Sequence, residues 1–280
     1  MRRTNLLLGV GATLGLVAIA AWWTQRAEMV SVAGRWVEAR VAGSGSPAVI
    51  FESGFTGERA LWWRAQFSAA REARTLTYLR AGIGRSTPGP EPRSAEQIAH
   101  ELHALLATLQ IAPPYVLVGH SAGGLYVRVF AHMYPQEVAG LILVDPATED
   151  FYDRMRTRTP NDWSRMSDQM QKLGKASGLP GQWQALPQSL DQARASWPLP
   201  AVPTVVLSST KPQGQWPLET ADDVAALAVS QTQLAARIAG SRHIVVANAD
   251  HLSILWSSTL SEQIQGVIRK AGPSGPALRE

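Results

Sequence analysis

The sequence contains no cysteine. That excludes a disulfide framework, a thiolate nucleophile, a cysteine zinc site and lipid attachment through a cysteine, and it makes the chain tolerant of an oxidising compartment. Charge is scarce as well. Only 17% of the 280 residues are Asp, Glu, Lys or Arg, against 45% apolar, a balance that excludes a disordered chain and allows a sizeable core in one large domain. The net charge of +4 is spread without a dense basic run, so nucleic acid is not an expected partner. No internal repeat is present.

Long apolar runs are limited to one, residues 6–23, which follows Met1, Arg2 and Arg3. Its length, about eighteen residues, is near what a bilayer requires. Paired arginines before it and Trp22 and Trp23 at its far end match the positive-inside bias and the interfacial aromatic belt, which puts residues from 24 onward outside the cytoplasm. Ala18, Ile19 and Ala20 resemble a small-residue cleavage site, so a signal peptide is the competing reading. Both readings export the rest, to the periplasmic side in a Gram-negative cell. The expected organisation is a membrane anchor or signal segment at 1–25, then one domain at 26–275.

Within that domain apolar strands and amphipathic helices alternate. Strands are expected at 35–41 (alternating, antiparallel and at an edge), 48–51, 75–79, 115–119, 139–144, 204–208 and 243–247. Helices are expected over 57–72, 122–134, within 220–238 and over 252–270. Another starts from Ser94 as N-cap, with Ile98, Leu102, Leu105, Leu106 and Leu109 on one face. Such alternation predicts a mostly parallel sheet covered on both faces. From 147 to about 200 it stops. This polar, partly helical stretch carries Met155, Trp163, Met166, Met170, Trp183 and Trp197, and it reads as an insertion above the sheet, a helical lid.

Residues 115–130 read YVLVGHSAGGLYVRVF. Ser121 stands between Gly119 and Gly123, after an apolar strand and before a helix. Small residues two before and two after it remove the side chains that would collide in a tight strand-to-helix turn, and the turn would lift the hydroxyl clear of the sheet. An incidental serine in a glycine-rich turn is the alternative, and the strand before and helix after decide for a nucleophile. The Ala122 N–H would lie at the helix start, where orphan amides favour developing negative charge.

A serine hydroxyl needs a base of near-neutral pKa. Ligands of open parallel sheets bind beyond the carboxyl ends of strands, and His251 alone among the six histidines occupies a loop after a late strand. His120 is expected to point away, His100, His103 and His132 lie on helices, and His243 opens a strand. For the acid that orients the base, Asp145 sits directly at a strand end; Asp150, Asp222 and Asp250 are alternatives, as is a capping role for Asp145. Ser, Asp, His is the chain order of a triad on this kind of sheet. A second oxyanion donor should come from the loop after strand 48–51, where Gly54 allows close approach and the Phe55 amide is best placed.

These features resemble the α/β-hydrolase superfamily over roughly residues 30–270, and most closely a bacterial esterase- and lipase-like branch, on the elbow itself, "GLILVDP" (140–146) and "RAGIGRS" (80–86). The resemblance implies the α/β-hydrolase fold, Ser121 as nucleophile, His251 as base, Asp145 as acid, and Phe55 and Ala122 as oxyanion donors. It implies a serine hydrolase that cleaves carboxylic esters through an acyl-enzyme, with no cofactor or metal and a small-molecule ester, lipid-like or not, as partner. Thioester, lactone or carbon–carbon hydrolysis, or a non-catalytic binding module, are the alternatives. Relatives that open epoxides or displace halide use an Asp nucleophile, which a serine at 121 argues against. Two departures stand out: many relatives carry His-Gly in the oxyanion loop, where this chain has Glu52-Ser53-Gly54-Phe55, and an Asp before RxG, where it has Leu79.

Overall fold

The computed structural model describes residues 27–57, 59–172, 178–214, 218 and 220–271. The apolar run at 6–23 and the Gly/Pro-rich tail lie outside them. Among the described residues no helix is long and apolar enough to cross a membrane.

Among the described residues, eight strands form one sheet in the order β1-β2-β4-β3-β5-β6-β7-β8. They are β1 (Glu28–Val32), β2 (Arg35–Ala42), β3 (Ala48–Glu52), β4 (Thr75–Tyr78), β5 (Tyr115–His120), β6 (Val138–Val144), β7 (Thr204–Ser208) and β8 (Arg242–Val245). β1, β2 and β4 pair antiparallel and all later neighbours pair parallel. The expected edge strand is therefore corrected. β2 is antiparallel, but β1 lies outside it, joined by the turn at Ala33 and Gly34. Its sequence, EMVSV, lacks the alternation that marks β2, because an outermost strand buries little on either face.

The central strands are apolar throughout because both faces are covered. Along β5, Tyr115 and Leu117 enter one core and Val116 and Val118 the other; β3 and β6 divide the same way. On one face pack α1 (Trp63–Ala69) and α9 (Ser258–Ala271). On the other pack α2 (Ala95–Thr108), α3 (Gly123–Met133) and α8 (Ala221–Arg237). Ser94 caps α2 by accepting the Gln97 N–H at 3.4 Å. The helix expected over 57–72 is shorter: a 3₁₀ turn, Arg59–Trp62, precedes seven residues of α1.

Between β6 and β7 the insertion is helical, with α4 (Glu149–Arg158), α5 (Pro160–Lys172), α6 (Leu179–Gln184) and α7 (Leu186–Ala195). Its aromatic and methionine residues do different things. Met155 packs with Phe151, Leu218, Val224 and Leu227. Trp163 and Trp183 rings lie 4.8 Å apart, and the Arg237 guanidinium sits 4.1 Å over the Trp197 ring. The Met170 side chain is outside the described atoms.

Candidate active site

Ser121 sits at the sharp turn from β5 into α3 with φ of 55°, a left-handed conformation that costs a non-glycine residue about 1–2 kcal/mol. Backbone hydrogen bonds hold it there. Its N–H donates to the Val144 carbonyl at 3.2 Å, and its carbonyl accepts from Gly124 and Ala147 N–H, each at 2.9 Å. Gly123 is required by close packing, since a Cβ there would lie 2.3 Å from the Glu52 carbonyl oxygen. Gly54, in the loop after β3, lies against the serine: a Cβ on it would come 3.1 Å from Ser121 Cβ and 3.5 Å from Oγ. Ala122 follows at the entrance to α3, whose first amides have no partner within the helix.

Asp145 leaves β6 with φ of 44° and is buried. Its Oδ1 accepts the Ser209 N–H at 2.9 Å and the Gln231 Nε2–H at 3.2 Å. Oδ2 accepts the Ser209 hydroxyl at 2.8 Å and lies 2.7 Å from His251 Nδ1. Burial works to raise the carboxyl pKa, but the hydrogen bond and charge of His251 and the two donors of Ser209 outweigh it and hold it at about 2. A carboxylate only accepts, so Nδ1 of His251 carries the proton. Asp145 does not cap the segment after it; Thr148 does, its hydroxyl accepting the Phe151 N–H at 3.2 Å. Asp150 and Asp222 are exposed on the first turns of α4 and α8, and Asp250 accepts the Leu252 and Ser253 N–H groups at 2.9 and 2.8 Å.

Sequence reasoning misplaced His120. It was expected to point away, but it is buried beside His251, its Nε2–H donating to the His251 carbonyl at 2.8 Å and the ring centroids 4.5 Å apart. Strand alternation accounts for this: His120 follows Val116 and Val118 onto the α1/α9 face, where the His251 loop lies. Burial, with the charge of His251 added, pushes its pKa from 6.5 down to about 3. Between those values the unfolded chain binds a proton here that the folded protein does not, so stability rises with pH through that window. Wild type is expected to lose about 1 kcal/mol or more of unfolding free energy between pH 6.5 and 5, in excess of any loss in His120→Gln, when urea midpoints are compared at each pH. Parallel losses in the two proteins would show that His120 does not titrate as described.

Two cavities share Ser121, His251, Phe55, Thr56 and Gln213. The larger, about 260 Å³, is also lined by Phe151, Tyr152, Met166, Trp183, Leu218 and Leu227. The smaller, about 150 Å³, is also lined by His120, Leu61, Trp62, Leu252 and Leu255. The structure thus brings Ser121, His251, Asp145 and the loop carrying Phe55 to one place beyond the strand ends. Ser209 and Gln231, which hold Asp145, were missed. Ser209 directly follows β7, where the strand-end rule would have found it; the signal for Gln231 is an amide between Leu227 and Leu234 on the buried face of α8.

Known proteins resemble this chain in sequence and in fold. Over 136 residues the chain is 35% identical to "Probable transporter efuK" of Hormonema carpetanum, covering 46% of this chain and 20% of that protein. Over 101 residues it is 33% identical to the (lyso)-N-acylphosphatidylethanolamine lipase of Mus musculus, covering 35% of this chain and 30% of the lipase. The matches thus span less than a third of either relative. A thermophilic esterase from Thermogutta terrifontis, solved with malate bound, superposes with a TM-score of 0.57 at 20% identity over 88% of this chain and 99% of its own, a likeness of fold. A family model described as alpha/beta hydrolase fold matches residues 47–196, more than half of the sequence and everything from β3 to the end of α7. By that match, which takes in both the elbow and Asp145, the chain belongs to the α/β-hydrolase fold family.

Proposed function

We propose that the protein is a serine hydrolase for carboxylic esters with one bulky apolar part. The observation that carries the reading is a strained, backbone-held Ser121 lining the same two cavities as His251, whose Nδ1–H is taken by a buried carboxylate. With Nδ1 so occupied, Nε2 is the ring nitrogen free to take the Ser121 proton as Oγ bonds to the acyl carbon. The carbonyl oxygen becomes an oxyanion facing the Phe55 and Ala122 amides. Collapse breaks the bond to the alcohol, which leaves with the proton from Nε2. Water, deprotonated by the same nitrogen, then releases the acid and restores Ser121.

The larger cavity supports the choice of substrate. An apolar cavity of about 150 Å³ holds a benzene ring, so a wall of Phe151, Tyr152, Trp183, Leu218 and Leu227 around 260 Å³ suits a ring or a chain of roughly eight carbons. Purified protein is expected to hydrolyse nitrophenyl butyrate and octanoate faster than dodecanoate. Met166→Trp, on a half-buried wall residue, is expected to lower kcat/KM for octanoate at least tenfold relative to acetate. Failure to turn over any ester sinks the proposal, and turnover of a thioester or lactone instead replaces ester by that class. The reading of residues 1–25 as anchor or signal, with the enzyme working outside the cytoplasm on lipid-like esters, stands beside this one; the intact mass of protein recovered from membranes separates anchor from cleaved signal.

A further inference from the structure

Arg80 follows β4 and is 2% exposed, yet it borders neither cavity. All five of its N–H donors are engaged. Nε donates to Gln182 Oε1 at 3.0 Å. One terminal nitrogen donates to the Glu52 carboxylate and to the Ser53 carbonyl, the latter at 2.8 Å. The other donates to the Gly54 carbonyl and, at 3.2 Å, to the Phe55 carbonyl. Glu52 is itself buried and takes the Tyr78 hydroxyl on its second oxygen. Burial works to lower the guanidinium pKa, but Glu52 outweighs it and raises it, so the charge stays.

Three successive carbonyls of the loop after β3 therefore point to one cation. In a trans peptide unit the C=O and the following N–H point in opposite directions. Turning the Gly54 carbonyl to Arg80 turns the Phe55 N–H the other way, to the side on which Ser53, Gly54 and Phe55 line the Ser121 cavity. Gln182 adds a link to the insertion. It lies on α6 beside Trp183, whose ring packs 5.8 Å from the Phe55 ring. One guanidinium thus ties the loop, its counter-ion and a helix of the insertion together.

We infer that Arg80 is the positioning residue of the oxyanion loop, with Glu52 as the counter-ion that fixes it and Gln182 as the contact through which α6 sets its place. The inference rests on the proposed reading of the site. In this chain the loop is aimed by an ion pair beneath it, Arg80 with Glu52. Lysine keeps the charge but offers three donors on a flexible stem, so it cannot hold three carbonyls, Glu52 and Gln182 together.

The test uses the full chain as wild type, Arg80→Lys, Glu52→Gln and Gln182→Met. Active sites are titrated with a fluorophosphonate, and kcat and KM on nitrophenyl butyrate are measured beside the affinity for a trifluoromethyl ketone, which adds to the serine as a tetrahedral oxyanion. Arg80→Lys and Glu52→Gln are expected to lose about a hundredfold in kcat per active site, the cost of one oxyanion donor, with KM changed less than threefold and ketone affinity falling in parallel with kcat. Gln182→Met should fall between them and wild type. Unchanged kcat per active site in the folded variants, with only thermal stability or the titratable fraction reduced, would mean a structural role and overturn the inference. If Arg80→Lys does not fold, Glu52→Gln and Gln182→Met decide in the same way. A wild type that neither labels nor hydrolyses esters defeats the reading of the site itself; wild-type turnover with an unaffected Arg80→Lys defeats only this assignment.

Discussion

Replacing Ser121 by alanine is expected to abolish labelling by a fluorophosphonate and to lower ester turnover by a factor on the order of 10⁴ to 10⁶. The size follows from what is removed. Without Oγ no acyl-enzyme forms, and only positioning and any oxyanion contacts remain to help water attack directly. The fold should survive, because the turn is held by main-chain groups. Val144, Gly124 and Ala147 all bond the backbone of residue 121, and the close approach of Gly54 is to its Cβ, which alanine keeps. Alanine carries the same left-handed strain as serine at φ of 55°, so stability should change by less than about 1 kcal/mol. Labelling and kcat/KM measured beside a thermal melt separate the two effects. A folded Ser121→Ala that still labels, or still hydrolyses at a tenth of the wild-type rate, would move the nucleophile elsewhere.

The elbow was legible because several local rules agree on it: a doubly buried apolar strand, small residues at fixed offsets and an amphipathic helix. The parallel sheet was legible for the same reason, since short apolar runs such as 139–144, alternating with amphipathic helices, fit strands covered on both sides. β1 was not legible. An outer strand needs little apolar content, and EMVSV becomes a strand only because β2 offers it an edge. The 3₁₀ start of α1 escaped too, because periodicity cannot distinguish one tight turn from the first turn of a helix.

The candidate site divides along the same line. Ser121, His251 and Asp145 follow strands, and the strand-end rule reaches all three. The residues that aim them do not announce themselves. His120 reaches the His251 carbonyl only because one strand is in register with a loop 131 positions later. Gln231 reads as a polar interruption on an apolar helix face, and Arg80 as one arginine among many until the carbonyls of 53, 54 and 55 are seen to converge on it. Side chains whose partners are backbone atoms of distant segments leave almost no sequence pattern.

Asp145→Asn is expected to lower kcat by about 10⁴ while the protein folds and still binds substrate, and the hydrogen-bond network explains why an isosteric change should cost so much. Two donors, the Ser209 N–H and the Gln231 amide, meet at Oδ1. An asparagine must put its carbonyl oxygen there, which turns its NH₂ toward Ser209 Oγ and His251 Nδ1. The Ser209 hydroxyl can rotate to accept. Nδ1 can accept only by giving up its proton, which moves to Nε2 and locks the imidazole in the tautomer that cannot deprotonate Ser121. The base would be present, in place and wrongly protonated. Asp222→Asn, on an exposed first turn of α8, should leave kcat unchanged and serves as the control. A single Asp145→Asn that labels within tenfold of wild type would show that Asp145 does not orient the base.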